Sequence, residues 1–541
     1  MNKKNTTVFE VSWEVCNKVG GIHTVISTKS KSLLDKYGNV IMIGPDLAKE
    51  GENIEFAEDK LLYEAWRMQA EKSGLKIRVG RWKIHSRPIV VLVDFTSFFK
   101  DKDDIFAHFW EKYNLDSLRG GWDYIEPVMF GVAAGKVIES FYTYNLLQYE
   151  TAIAHFHEWM TGSGILYLKE NLPQIGTVFT THATILGRTI AGNHLPLYSK
   201  MMEYNPQVMA NNYNISAKYS LEKLSAEHAD IFTTVSSITA KECKYFLGKK
   251  PDIITPNGFE DSIVPIQNEF NIKKQLSKNK LREVSEAVLG YELDENPFFV
   301  LNSGRYEFKN KGIDIFIKSL VKLNSLNPER EIVAFIAVPA GTKGANPIVK
   351  ARLEGNRMEG DDGKSFFCTH ELYDIQNDPV VSLLKELNVN NSKESKIKII
   401  FSPVYLNGSD GIFNLKYYDF LIGFHFTIFP SYYEPWGYTP MESVAFHVPT
   451  VTTSLAGFGD WIKDKLKIYK DGAYVLERND TNDDEVIDNL TEIINEFSSL
   501  NVEEFMMSCI KAKELSKLAL WNHLIKHYVD AYNQAGEKAE E

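Results

Sequence analysis

Short apolar runs alternate with longer stretches of helical periodicity along almost the whole chain, and this alternation constrains the fold most. The runs fall at 7–13, 39–44, 89–95, 152–157, 177–181 and 231–235 in the first half. In the second half they fall at 298–302, 332–338, 397–401, 426–430 and 449–453. Strands separated by helices in this way are βαβ units. They pair in parallel, lie under helices on both faces, and so need no polar side. The reading is an α/β chain. At 541 residues it is too long for one ordinary core. A boundary is expected near Thr255-Pro256-Asn257-Gly258, where proline and glycine interrupt the pattern and a charged helical stretch, 273–289, follows. A second α/β unit then opens at Phe298. We therefore expect two Rossmann-like domains facing one cleft, 1–255 and 256–515. A helical tail, 516–541, is expected to pack back on the first domain. Residues 341–377 show no clear period and many glycines and charges, which reads as an exposed loop or insertion. The charged end, 536–541, is expected to fray.

Composition narrows the function. Hydrophobic residues make up 44% and charged residues 24%, the balance of a globular protein. A net charge of −12 argues against nucleic acid as partner, yet leaves room for a small phosphorylated ligand held by a local cation cluster. Cys16, Cys243, Cys368 and Cys509 are scattered, with no paired spacing, so neither a metal framework nor a disulfide set is expected. Residues 1–6 are short and polar and lead directly into the first run. With no apolar run long enough for a bilayer, the cytoplasm is the expected compartment and no membrane partner is expected.

Residues at the carboxyl ends of the runs carry the chemistry, since open α/β sheets bind ligands there. After the first run, Lys18 precedes Gly20 and Gly21 at the start of a helix. Glycines allow close backbone approach, and a helix N-terminus with a lysine can hold a phosphate or a sugar hydroxyl. His155, His157 and Glu158 end the fourth run. The spacing could suggest a metal, but no third distant ligand group declares itself, so a structural or sugar-binding role is the better reading. His182 and Arg188 follow the fifth run. Arg305 and Lys311 follow the first run of the second half, where fixed cations could stabilise a departing diphosphate: the arginine as a bidentate fork, the lysine as a point charge. The segment 429–442 is the most informative. It holds Glu434, then Trp436, Gly437, Tyr438 and Thr439, and places Glu442 eight residues after Glu434 in the helix that follows. Gly437 permits close approach to a ligand, and the coming helix offers N–H groups to phosphate. Tyr417, just upstream, is an aromatic that more often packs in a core.

This fourteen-residue segment resembles the glycogen synthases of the animal and fungal type, with its two glutamates in the E-x7-E pattern of retaining sugar-nucleotide transferases. The Lys18–Gly21 loop, the His157–Glu158 and His182–Arg188 strings, and the Arg305–Lys311 string resemble the same family. The likeness runs from Val11 to about Gly459, then more weakly over 515–528. It implies the GT-B fold and a retaining hexosyltransferase that moves glucose from a nucleotide sugar, UDP-glucose in the first place, to the 4-hydroxyl of glycogen or another α-1,4-glucan. It implies no metal and no cofactor. In residue terms it implies catalytic roles for Glu434, His182, Arg305 and Lys311. Donor contacts are implied from Lys18, Gly20, Gly21, Arg188, Tyr417 (stacking on the base), Trp436, Gly437, Tyr438, Thr439 and Glu442. Acceptor-side roles are implied for His157 and Glu158.

Three departures set the chain apart from those relatives. Lys511 and Lys513 stand near the place of an arginine cluster that senses glucose 6-phosphate, and no arginine follows Arg478. Little chain precedes the first run or follows the last helix, so phosphorylated regulatory tails are not expected. The 339–368 region is short, which leaves the oligomeric state open from monomer to family-like tetramer. A short, unregulated form is the expectation. Two alternatives stay open: another GT-B glucosyltransferase, using ADP-glucose or a different acceptor, and a catalytically silent glucan-binding protein.

Overall fold

The structure, a computed structural model, describes residues 6–47, 54–147, 150–356, 358–463, 465 and 472–540. Residues 1–5 of the polar leader, Arg357 of the expected insertion and Glu541 of the charged end lie outside the described residues. The chain packs as two compact units, Met1–Glu260 with Ala519–Glu541, and Asp261–Leu518.

The first unit is built on strands β1 (Thr6–Val11), β2 (Asn39–Pro45), β3 (Phe56–Glu58), β4 (Ile77–Trp82), β5 (Ile89–Val93), β6 (Thr151–His157), β7 (Gly176–Thr181), β8 (Ile231–Thr234) and β9 (Ile253–Ile254). They lie side by side in the order β3-β4-β5-β2-β1-β6-β7-β8-β9. From β5 to β9 the pairing is parallel, and β4 and β3 close one edge antiparallel. Strands such as β1, buried at every position, can be apolar on both faces because helices cover both. The last helix, Trp521–Glu540, belongs to this unit and buries Trp521, Tyr528, Tyr532 and Ala535. It runs through Gly536 to Glu540, so the end expected to fray is helical. Ala535 lies against Gly176, and Lys538 donates to the Asp230 carbonyl at 2.7 Å.

The second unit carries β10 (Phe298–Ser303), β11 (Ile332–Ala337), β12 (Thr342–Ala345), β13 (His370–Leu372), β14 (Ile397–Ser402), β15 (Phe426–Ile428), β16 (Thr450–Thr453) and β17 (Ala473–Leu476). Six of these form an all-parallel sheet, β14-β11-β10-β15-β16-β17. Counted in chain order, that is the doubly wound 3-2-1-4-5-6 arrangement, in which strand order reverses between the first and fourth strands, here β10 and β15. Its core stacks Phe426 on Phe497 with ring centroids 4.1 Å apart, and Phe298 meets Phe497 edge-on. Burying each such ring contributes about 1.5–3 kcal/mol.

The stretch expected as an exposed loop, 341–377, contains β12 and β13 as an antiparallel pair, with the helix Pro347–Leu353 between them. The strands have four and three residues, one carries a bulge, and β12 is half exposed, so no apolar period marks them. Among the described residues no helix is long and apolar enough to cross a membrane.

Candidate active site

The reversal between β10 and β15 gathers the second unit's chemistry. Asn302, near the end of β10, reaches across it and donates to the Ile428 carbonyl at 2.8 Å. The loop after β10 and the loop after β15 are tied together, since the Asn310 carbonyl accepts from Tyr432 N at 2.8 Å and Tyr433 N at 3.2 Å. Gly312 permits this approach. A β-carbon there would lie 2.0 Å from the Pro430 carbonyl oxygen, and its φ of +65° is costly for any other residue. Arg478 donates to that same carbonyl and to Asp483 at 3.0 Å.

Held in this way, Lys311 and Glu434 form a direct ion pair, with side chains only 13% and 16% exposed. Both were sequence candidates, 123 residues apart, and the fold brings them together. Glu434 is fixed through its backbone as well, its carbonyl accepting from Gly457 N at 2.9 Å. Gly437, at φ +106°, turns the chain into the helix Tyr438–Ala445, which aims its N-terminal N–H groups out of the same loop. Trp436 is buried beside Phe458 and Trp461, and its indole Nε1 has no hydrogen-bond partner among the described residues. Glu442 accepts from Tyr418 Oη at 2.8 Å, and Tyr418 stacks on Phe446 with centroids 4.9 Å apart. Tyr417 is half-buried and shares a 2.9 Å hydrogen bond with Ser303 at the end of β10. Arg305 is 58% exposed and pairs with Glu307 at 3.0 Å, taking no part in the Lys311–Glu434 ion pair.

In the first unit the corresponding reversal lies between β1 and β6. Register sets Glu10 opposite His155, and alternation puts His157 on the same face. Glu10, His155 and His157 are entirely buried. Glu10 Oε2 accepts from Lys29 Nζ at 3.0 Å and lies 2.8 Å from His157 Nε2. Its other oxygen accepts from Tyr532 of the last helix. His155 is 2.8 Å from that hydroxyl and 2.6 Å from Thr180 Oγ1. Burial alone would raise the Glu10 carboxyl, but the Lys29 ammonium and the two histidines outweigh it and hold it well below its ordinary value. Burial depresses His155 to about 4 and, with His155 and Lys29 nearby, His157 to about 3. Ligand atoms of Glu10, His155 and His157 lie within 4.8 Å of one another, close enough to hold a metal ion. The Lys29 ammonium, however, already sits at the carboxylate as the counter-cation. A metal would face that charge, so the donor set suits a hydrogen-bonded network.

His157 Nδ1 lies 3.0 Å from His182 Nε2. The backbone N–H groups of His182 and Ala183 donate to Glu158 Oε1 at 3.0 and 3.1 Å. Burial pushes the Glu158 carboxyl up to about 7, against the pull of Arg188 and those two N–H groups. Glu158 has φ +67° and ψ 162°, a region that non-glycine residues occupy only where the surroundings enforce it, as at functional sites. Arg188 is exposed. Lys18 and Gly21 are exposed too, whereas the Gly20 and His23 N–H groups donate to Glu14 Oε2 at 2.7 and 3.0 Å. The helix N-terminus expected to receive a phosphate or sugar is thus capped by the chain's own carboxylate.

The comparisons with known proteins agree in direction. The family model described as Glycogen synthase matches residues 10–356 and 362–540. The liver glycogen [starch] synthase of Mus musculus is 30% identical, across 97% of this chain and 82% of its own. Isoform 1 of the Saccharomyces cerevisiae enzyme is 29% identical, across 98% and 85%. Among solved structures, the catalytic domain of starch synthase IV from Arabidopsis thaliana, bound to ADP and acarbose, superposes with a TM-score of 0.57. Its identity is 15%, over 98% of this chain and 99% of that one. A sucrose-phosphate synthase from Thermosynechococcus elongatus gives 0.53 at 13% identity, over 98% of both chains. At such identities these structures establish the fold, GT-B, and nothing further.

Proposed function

Because the chain belongs to the glycogen synthase family, and is therefore a glucosyltransferase that extends a glucan, we propose that its donor is UDP-glucose and that it retains the anomeric configuration. The curated relatives near 30% identity are animal and fungal glycogen synthases, and their likeness favours the uridine donor over ADP-glucose.

The observation that carries the site assignment is the Lys311–Glu434 pair at the strand reversal of the second unit, beside the N-terminus of the helix Tyr438–Ala445. Lys311, Arg305 and the N–H groups of Tyr438 and Thr439 would take the diphosphate. Ionic and dipolar groups already fixed in place stabilise the charge that builds on the leaving oxygen. Trp436, Gly437 and Glu442 shape and orient this loop, and Tyr417 would lie on the base. In the reaction the bond from the anomeric carbon to the phosphate oxygen breaks, and the acceptor 4-oxygen bonds to that carbon from the same face. The acceptor proton passes to the departing phosphate oxygen, and the nucleoside diphosphate leaves. Glu434 would bind sugar hydroxyls and stabilise the positive charge on the ring. His182 would contact the transferred sugar, with Arg188, Lys18, Gly20 and Gly21 on the donor side and His157 and Glu158 behind it toward the acceptor. For Gly20 this requires Glu14 to give up its hydrogen bond.

Steady-state kinetics of Arg305→Ala with UDP-glucose and glycogen test the reading. Removing a fixed donor to a developing oxyanion costs about 3–4 kcal/mol of transition-state stabilisation. Turnover near that of the parent enzyme would remove Arg305 from the site.

A further inference from the structure

His182 is not held alone. Three links run behind it through the core of the first unit: Lys29 to Glu10, Glu10 to His157, and His157 to His182, at 3.0, 2.8 and 3.0 Å. Their hydrogens can be assigned in turn. Glu10 accepts from the Lys29 ammonium and from the Tyr532 hydroxyl, so it is the ionised carboxylate and can only accept. His157 Nε2, 2.8 Å from that carboxylate, must therefore carry its hydrogen. A second hydrogen on His157 is opposed by complete burial and by the charge of Lys29 on the same carboxylate oxygen. His157 Nδ1 is then a lone pair. At 3.0 Å it can only accept, so His182 Nε2 carries the hydrogen. His182 Nδ1 is left as a bare nitrogen, and no hydrogen bond within the described residues engages it. Burial is the main obstacle to an imidazolium at His182; His157, Lys29 and Arg188 add to it and outweigh the opposite pull of Glu10, while Glu158 is occupied with the backbone N–H groups.

We propose that His157 is a positioning residue which, with Glu10 and Lys29 behind it, fixes His182 in the Nε2–H tautomer and so presents Nδ1 to the transferred sugar as a hydrogen-bond acceptor. The proposal rests on the reading that His182 contacts the donor glucose. It adds the direction of that contact: a sugar hydroxyl donates, and the histidine accepts. Neither a donor to the sugar oxygen nor a proton source for the leaving group is available from this ring.

The tautomer is read first, without any donor present, on the full chain labelled with ¹⁵N-histidine. The His182 signals are identified by their loss in His182→Gln. The expected result is a pyridine-type Nδ1 and a pyrrole-type Nε2. His157→Phe, which removes the acceptor behind Nε2, should shift both signals toward the average of a mixture. A pyrrole-type Nδ1 in the parent protein overturns the proposal, as does an averaged pair of signals. The second measurement is binding of UDP-glucose analogues in which each sugar hydroxyl is replaced in turn by hydrogen or by fluorine. Fluorine can accept but cannot donate. At one position both replacements should weaken binding alike, by about tenfold, and the loss should vanish in His182→Ala. Fluorine restoring affinity at that position refutes the acceptor role. No binding of UDP-glucose itself would count against the donor assignment and leave the tautomer result standing.

Discussion

Replacing Glu434 by glutamine should tighten the binding of nucleoside diphosphate while slowing transfer. Lys311 and Glu434 are in contact with each side chain about one-seventh exposed, so bulk water screens the pair only in part. Two unit charges about 4 Å apart attract by roughly 4 kcal/mol at an effective dielectric of 20, and after desolvation a hydrogen bond between charged groups is worth about 1.5–3 kcal/mol net. Any diphosphate that uses Lys311 must compete with that carboxylate. Glu434→Gln keeps the shape and removes the competing charge, returning about 1.4 kcal/mol, or roughly tenfold in affinity for UDP. Lys311→Met should do the opposite and weaken UDP by about 2 kcal/mol, some 30-fold. Turnover should fall in both, since the glutamate loses its charge toward the sugar in one and the diphosphate loses its cation in the other. Titration calorimetry with UDP on the three proteins is the assay. Unchanged or weaker UDP binding in Glu434→Gln, together with parent-like binding in Lys311→Met, would refute the competition and the placement of the diphosphate.

Gly312→Ala should disrupt the junction of the two loops, because its β-carbon would meet the Pro430 carbonyl at 2.0 Å with φ held at +65°. Left-handed strain alone costs about 1–2 kcal/mol, so a lowered melting temperature and weakened UDP binding are expected. Tyr418→Phe removes the 2.8 Å hydrogen bond to Glu442 and should cost about 1–2 kcal/mol in urea unfolding, with a weaker donor KM as the functional readout. Glu158 gives a pH test. Its carboxyl rises from 4.5 to about 7 in the folded chain, so its contribution to stability is present below pH 4.5 and is lost as pH rises through 7. Glu158→Gln should therefore gain stability relative to the parent by about 3 kcal/mol between pH 4.5 and 8. A difference independent of pH would show that the carboxyl is not raised.

The strands were legible because they are buried on both faces: every expected run coincides with an observed strand to within a residue or two, β1 and β10 among them. The order 3-2-1-4-5-6 sets β10 beside β15, and this neighbourhood is why Lys311 and Glu434, 123 residues apart in the chain, meet. The weak pair β12 and β13 was not legible, since four half-exposed residues around Lys343 and Gly344 carry no period. β4 escaped notice because Arg78 and Arg81 break its apolar run.

At the site, short-range features could be read and long-range partners could not. Glu10 escaped the sequence reading although it is the one charge in an otherwise uncharged, wholly buried strand, which is a usable signal. Its partners stand 19, 145, 147 and 522 residues away, so only the fold identifies Lys29, His155, His157 and Tyr532 as its network. Glu14 was missed for another reason. Its spacing to Gly20 is short, but a capping carboxylate and a ligand-binding loop look alike until the N–H groups are traced.

The most direct test of the account is transfer of labelled glucose to glycogen, run side by side from UDP-glucose and from ADP-glucose, without added metal and with or without glucose 6-phosphate. The account predicts incorporation from UDP-glucose in preference to ADP-glucose, with no dependence on metal or on glucose 6-phosphate. Incorporation from ADP-glucose alone would contradict the donor assignment, and none from either donor would contradict the proposed reaction.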